Sequence, residues 1–210
     1  MTPYEYIKKE IILGNLKPGQ IFNEQDVASA LGLSRTPVRE AVLKLNEEGL
    51  LTIIPRKGTI VSQISITDVK EVYGARSLIE PEIVEKAVDN MDRDLLIKWK
   101  NYFNNIIENN LDDLELPVEK DYLDDIDKGF HLSIVNSLKN KLLSKEIEHL
   151  MDLSIRIRYL SNMNNQTRYI ESLKEHVEII DSILDKNHEK AKDAMIKHLK
   201  NTIEGYKLWI

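Results

Sequence analysis

Asp127 and His131, in the string DKGFH, stand four residues apart, so on a helix both side chains project from one face. A carboxylate and an imidazole at that spacing can share a metal ion. His176, in KEHVEII, and His198, in IKHLK, fall in two later stretches of helical pattern that a short loop at Asp185–Asn187 makes antiparallel. If both face the interior, three imidazoles and one carboxylate converge from three helices. Room then remains in a six-coordinate shell for water or a ligand oxygen. Imidazole suits zinc, nickel, iron or copper, and an oxygen ligand widens the choice to manganese. Zinc or nickel is the first expectation. A D-x-x-x-H string also arises by chance, and a single helical histidine is more often a surface or satisfied core residue. His149 and His188, set among charged neighbours, are read that way.

A second constellation lies near the N-terminus. In ALGLSRTPVREAV, Arg35 and Arg39 share a helix face, with Thr36 beside them able to hydrogen-bond or to offer a methyl group. Such a pair is often only a solvated face, and Arg39 could equally pair with Glu24 or Glu40. Its setting favours nucleic acid. The arginines open a third helix after the glycine turn at Gly32, and a hairpin tipped Pro55-Arg56-Lys57-Gly58 follows. In a helix-turn-helix the second helix enters the major groove with its N-terminal residues at the base edges. A wing whose Gly58 permits close backbone approach and whose Lys57 adds charge would reach the minor groove.

These residues need elements to hold them. Tyr4, Ile7, Ile11, Ile12 and Leu16 form a helical apolar stripe that Pro18 and Gly19 end. Asn23 caps a second helix and Ser34 a third, whose inner side is Val38, Ala41, Val42 and Leu45. The β-branched runs LLTII and TIVSQI form a two-stranded hairpin. From residue 66 strand signals cease. Thr67 caps a first helix, and further helical patterns run over about 92–109, 120–138, 141–161, 168–186 and 188–207. The predicted fold is mostly α: a winged helix-turn-helix over 1–63, then an all-helical bundle of about six helices over 66–210.

Bulk properties agree with a soluble globular chain. Of 210 residues, 42% are hydrophobic and 30% charged; no cysteine offers a disulfide, and no apolar run is long enough to span a membrane. No signal-peptide pattern opens the chain, so the cytoplasm is the expected location. The net charge of −6 argues against nucleic acid for the whole chain, but it is unevenly spread. Residues 1–62 hold eight Lys/Arg against seven Asp/Glu, and the remainder twenty-one against twenty-eight.

The string LGLSRTPVREAVLKLNEEGLLTIIPRKGTIV resembles the winged helix of the GntR superfamily of bacterial transcription regulators, over about 60 residues. The resemblance implies DNA contacts from Arg35, Thr36 and Arg39, with Gly58 marking the wing tip. Gln25 stands where family members often carry a further arginine. Residues 66–206 resemble the ligand-binding FCD domain of the FadR-like subgroup. That pattern is carried by Arg76 with Glu80, Asp127 with His131, Glu175-His176, His198, and Asn140 nine residues after the first histidine.

By this resemblance Asp127, His131, His176 and His198 are metal ligands. An acyl-CoA effector is disfavoured, because members responding to one lack the metal set. The implied effector is a small carboxylic or sugar acid, with Arg76 and Asn140 as effector-binding residues. Arg76 offers a planar fork that matches a carboxylate, although an intrahelical pair with Glu80 accounts for it equally well. The implied protein is a homodimeric regulator, repression being the expected sense, on double-stranded operator DNA with two-fold symmetry. Rival readings are a helical metal-dependent hydrolase, or a regulator whose metal is structural or is itself the signal.

Overall fold

The computed structural model of the chain describes residues 1–109, 126–160 and 166–207. The described residues fall into two compact units. One joins Met1–Val69 with Ile155–Leu160; the other begins at Lys70.

The first unit opens with α1 (Pro3–Ile12), closed at its start by a capping box in which Thr2 and Glu5 satisfy each other's backbone N–H. Next come β1 (Ile21–Phe22), α2 (Glu24–Leu31) and α3 (Arg35–Glu47). Asn23 caps α2 through the Gln25 N–H, and Gly32 ends it in the left-handed region at φ 66°. Ser34 does occupy the N-cap of α3, but its side chain makes no capping hydrogen bond. Val38, Ala41, Val42 and Leu45 form the buried stripe of α3, facing the buried Ile7 and Ile11 of α1 in the unit's core. Arg35, Thr36 and Arg39 fall outside that stripe and are exposed.

Strands β2 (Leu51–Ile54) and β3 (Gly58–Val61) pair antiparallel, Leu51 opposite Val61. The sheet has a third member, since β1 pairs with the other edge of β3, Phe22 opposite Thr59. The two-stranded hairpin predicted from sequence is thus one strand short. A two-residue strand shows no alternation, and its partner lies far along the chain.

The helical region holds α4 (Ile66–Ala87), α5 (Arg93–Asn109), α6 (Ile126–Ser137), α7 (Lys141–Leu160), α8 (Gln166–Leu184) and α9 (His188–Lys207). Among the described residues it has six helices, in line with the expectation of about six. The start of the third predicted stretch, 120–125, lies outside the described residues. The cap of α4 is Ser65 rather than Thr67: its hydroxyl accepts from the Asp68 N–H while Asp68 accepts from the Ser65 N–H. The core of the second unit is rich in stacked rings. Trp99 and Phe103 of α5 lie 5.3 Å apart, and Phe130 of α6 meets Phe103 edge-on at 5.4 Å.

Candidate functional site

Helix α6 supplies Asp127 and His131 one turn apart, α8 supplies His176, and α9 supplies His198. One ligand atom from each of the four lies within 4.8 Å of the other three. All three histidines are buried and Asp127 is half-buried. Phe103 and Phe130 close one side, their rings 5.2 and 4.7 Å from that of His176. The sequence-predicted metal residues are therefore the ones the fold brings together.

Two carboxylates orient the imidazoles. Glu80 of α4 meets His131 Nδ1 at 2.5 Å, and Glu175 of α8 meets His198 Nδ1 at 2.8 Å. A carboxylate accepts, so each Nδ1 carries the proton and each Nε2 keeps its lone pair for a ligand. Each carboxylate is in turn held by an arginine. Arg76 clasps Glu80 through Nε and donates from Nη1 to Ser154 Oγ at 3.1 Å. Arg168 grips both oxygens of Glu175 at 3.1 and 2.9 Å, and Asn201 adds a third bond at 2.8 Å. The arrangement twice repeats imidazole, carboxylate, guanidinium.

Electrostatics follow from this layout. Burial alone would raise the Glu80 carboxyl, but Arg76 and His131 beside it hold it far below the usual range. Burial opposes ionisation of Glu175 too, and hydrogen bonds from His198, Arg168 and Asn201 bring it down to about 2. Burial, with His198 nearby, pushes His176 down to about 3, and burial also lowers His198. Both rings are thus neutral at physiological pH, the form that binds a metal.

His176 stands apart. Its Nε2 lies 3.3 Å from Asp127 Oδ1. Both its nitrogens, and Nε2 of His131, are buried without a hydrogen-bond partner. Buried polar atoms are nearly always satisfied. Three orphaned imidazole nitrogens beside a carboxylate form a donor set suited to a divalent transition metal.

Arg76 and Asn140, the effector-binding expectations, are placed differently. Arg76 is buried with Nε and Nη2 on Glu80 and Nη1 on Ser154, so its first role is to hold Glu80. Asn140 is exposed and caps α7, its side-chain oxygen accepting from the N–H groups of Leu142 and Leu143. The structure does not bring it into the buried cluster. Sequence reading missed Glu175 and Arg168 as positioning groups. Glu175 precedes His176 in the chain yet serves His198 from the next helix.

In the first unit, a groove of about 530 Å³ runs between α3 and the wing, lined among others by Glu24, Arg35, Arg39, Pro55, Arg56 and Gly58. Arg39 is exposed over 48% of its side chain, and its Nη1 pairs with Glu24 Oε1 at 2.6 Å. Of the two partners weighed from sequence, Glu24 is therefore the one that holds it. Gly58 has φ 105°, where a side chain would be strained, and Arg56 at the tip has φ 63°. Thr36 and Lys57 are exposed, but neither borders the groove. Arg56, passed over as a contact residue in the sequence, does.

A winged helix-turn-helix bearing exposed arginines, followed by a helical region, defines a DNA-binding transcription regulator. The chain belongs to the GntR family: residues 3–61 match the bacterial regulatory proteins, gntR family, and residues 71–201 match the FCD domain. It is 31% identical over 208 residues to the uncharacterized HTH-type transcriptional regulator YdhC of Bacillus subtilis, covering 97% of this chain and 89% of that one. It is also 28% identical over 158 residues to the HTH-type transcriptional repressor RspR of Escherichia coli, covering 74% and 66%. Among solved structures, E. coli McbR/YncC shares the fold with a TM-score of 0.78 at 21% identity, covering 99% of this chain and 97% of that one. These relatives are regulators and not enzymes, which removes the hydrolase reading. Among the described residues no helix is long and apolar enough to cross a membrane.

Proposed function

We propose that the chain is a metal-containing, ligand-responsive repressor that binds a two-fold symmetric operator as a homodimer. Arg35 and Arg39 contact base edges in the major groove, where the arginine fork matches guanine, and Thr36 adds a hydroxyl or methyl contact. Lys57, Gly58 and the neighbouring Arg56 serve the wing, as phosphate or minor-groove contacts. Glu24 fixes one end of the Arg39 guanidinium and leaves its other donors for DNA. Repression is supported by the name of the E. coli relative RspR.

In the helical region, Asp127, His131, His176 and His198 would hold one divalent transition metal, zinc or nickel first, with manganese or iron as alternatives. The observation that carries this is the set of buried imidazole nitrogens with no hydrogen-bond partner. When bound, the metal supplies a Lewis-acid centre for the oxygens of a small carboxylate effector. Glu80 and Glu175 orient two of the rings, and Arg76 and Arg168 keep those carboxylates ionised. Arg76 also supplies fixed positive charge to a site that receives an anion. An effector alters DNA affinity only through differential binding to two arrangements, typically by about 1–3 kcal/mol.

One observation favours a second reading, in which the metal itself is the signal. Arg76, the guanidinium expected to receive an effector carboxylate, already spends donors from all three nitrogens on Glu80 and Ser154. Fluorescence anisotropy of DNA from the upstream region of its own gene tests both. Full-length protein is titrated after chelation, with zinc or nickel restored, and with a panel of small carboxylic acids added. A several-fold change in affinity is expected between at least two of these states. A change on metal alone selects the second reading, a change only with acid selects the first, and identical isotherms throughout refute both.

A further inference from the structure

Helix α7 contributes to both compact units. Its residues up to Ser154 belong to the second, and Ile155–Leu160 join Met1–Val69 in the first. Ser154, Ile155, Arg156 and Ile157 are all buried. At about 100° per residue, four consecutive positions cover nearly the whole circumference of a helix, so this turn has no solvent face. Each unit holds the turn by one polar side chain. In the second, Ser154 Oγ donates to the Leu150 carbonyl at 2.8 Å and accepts at 3.1 Å from Arg76 Nη1, the arginine that clasps Glu80. In the first, Arg156 Nη2 donates to the carbonyl of Ser62. Ser62 directly follows β3, the strand that starts at the wing glycine Gly58. Its N–H donates to the Leu50 carbonyl at 3.1 Å, and its hydroxyl shares a hydrogen bond with Thr52 Oγ1 at 2.9 Å.

Arg156 is poorly compensated for a buried cation. Its Nε has no hydrogen-bond partner, and among the described residues the guanidinium makes no ion pair. Asp68, the acid whose charge it feels, is committed to Ser65, accepting from the N–H and the hydroxyl of that residue at 2.5 and 2.6 Å. Packing alone does not call for such a group, since apolar residues of similar volume often replace buried ions at no cost in stability. What the guanidinium adds is a directed donor on one backbone carbonyl at the end of the wing strand.

We infer that this turn of α7 is a strut that couples the Arg76–Glu80 brace to the exit of the wing strand, with Arg156 as the positioning residue. Ser154 and Arg156 are two residues apart, so they point about 200° apart around the helix and lie only about 3 Å apart along it. Packed helices respond to a local change by shifts of about 1–2 Å. A change in how Arg76 holds Glu80 moves Ser154, and the same helix turn carries that movement through Arg156 to the Ser62 carbonyl. The inference rests on the reading of Asp127, His131, His176 and His198 as a metal centre. It names the side chains by which occupancy of that centre reaches the wing.

Hydrogen exchange on the full-length protein, stripped with a chelator or supplied with zinc, tests this at the segment 62–69. In the wild type, zinc should change the exchange rate of that segment by about threefold or more. Arg156→Met fills the space without a donor, and Ser154→Ala removes the acceptor for Arg76 while leaving Arg156 and Ser62 intact. Each variant should exchange this segment at one rate with and without zinc, although it binds about one zinc per chain and keeps wild-type helical circular dichroism. If Arg156 only packs, Arg156→Met exchanges faster in both states and still responds to zinc. That result, or a zinc response retained in Ser154→Ala, overturns the strut. A wild type that binds zinc without any response in the segment also overturns it, and leaves the metal reading standing. A wild type that binds no zinc overturns both.

Discussion

The winged unit and the helical region present their functional groups in opposite ways. In the first, Arg35, Arg39 and Arg56 are exposed around a groove, and only Arg39 is tied, by a partly solvated pair with Glu24. In the second, His131, His176 and His198 are buried beside aromatic rings, and His131 and His198 are braced by two ionised carboxylates. The difference is physical. Phosphates are charged, base edges are polar and both are already hydrated, so they are met by groups that stay in water and exchange partners cheaply. A metal ion must be met by neutral nitrogens in fixed directions, and burial both neutralises and fixes them. Exposure marks the proposed DNA contacts in one region, and unsatisfied burial marks the proposed metal ligands in the other.

The contrast can be broken most forcefully at the buried centre. If those nitrogens exist to hold a metal, its removal leaves the helical region carrying the cost of unpaired buried groups. With free metal at roughly a thousandfold over its dissociation constant, binding stabilises the fold by about 4 kcal/mol. Chelation followed by thermal unfolding should therefore lower the midpoint by several degrees, and restored zinc or nickel should recover it. An unchanged midpoint would break the contrast at its root.

In the exposed groove, Arg39→Ala should weaken specific operator binding by about 1–3 kcal/mol, on the order of ten- to a hundredfold. Stability should change by less than about 1 kcal/mol, since the lost pair with Glu24 is partly solvated. Anisotropy beside urea unfolding separates the two effects. Comparable losses in both would mean that Arg39 is a scaffold residue.

The braces sharpen the picture further. Glu175→Gln keeps the shape of the side chain but removes the charge that His198 faces, and metal affinity should fall about 10–100-fold. Competition with a chromogenic chelator reads this directly, and wild-type affinity would reduce Glu175 to packing. The smallest effect is at the wing. Gly58→Ala forces a side chain into φ 105° and should destabilise the first unit by about 1 kcal/mol. Unaltered urea unfolding would show that the wing tip relaxes freely.

How much of this was legible in the sequence differs between the same two regions. Arg35, Thr36 and Arg39 lie within about one turn, and Gly32, Gly49 and Gly58 mark the turns around them, so the head could be read from one short string. Its third strand could not, because Ile21 and Phe22 pair with residues far along the chain. In the helical region, Asp127 and His131 announced themselves by helical spacing. The short loop at 185–187 makes α8 and α9 antiparallel, so His176 and His198 could join them if both faced inward, and the family resemblance selected that pair. The braces were hidden, since nothing in Glu175-His176 reveals that the glutamate turns to His198. Asn140 shows the opposite limit: the family resemblance implied a ligand contact, and in the structure its side-chain oxygen caps the start of α7.

Metal content of the freshly purified full-length protein bears most directly on the buried centre. Elemental analysis of the wild type should find about one divalent transition-metal ion per chain, and of His131→Ala, His176→Ala only background. Equal metal content in the two proteins, or a wild type that binds none when zinc and nickel are supplied, would contradict the account.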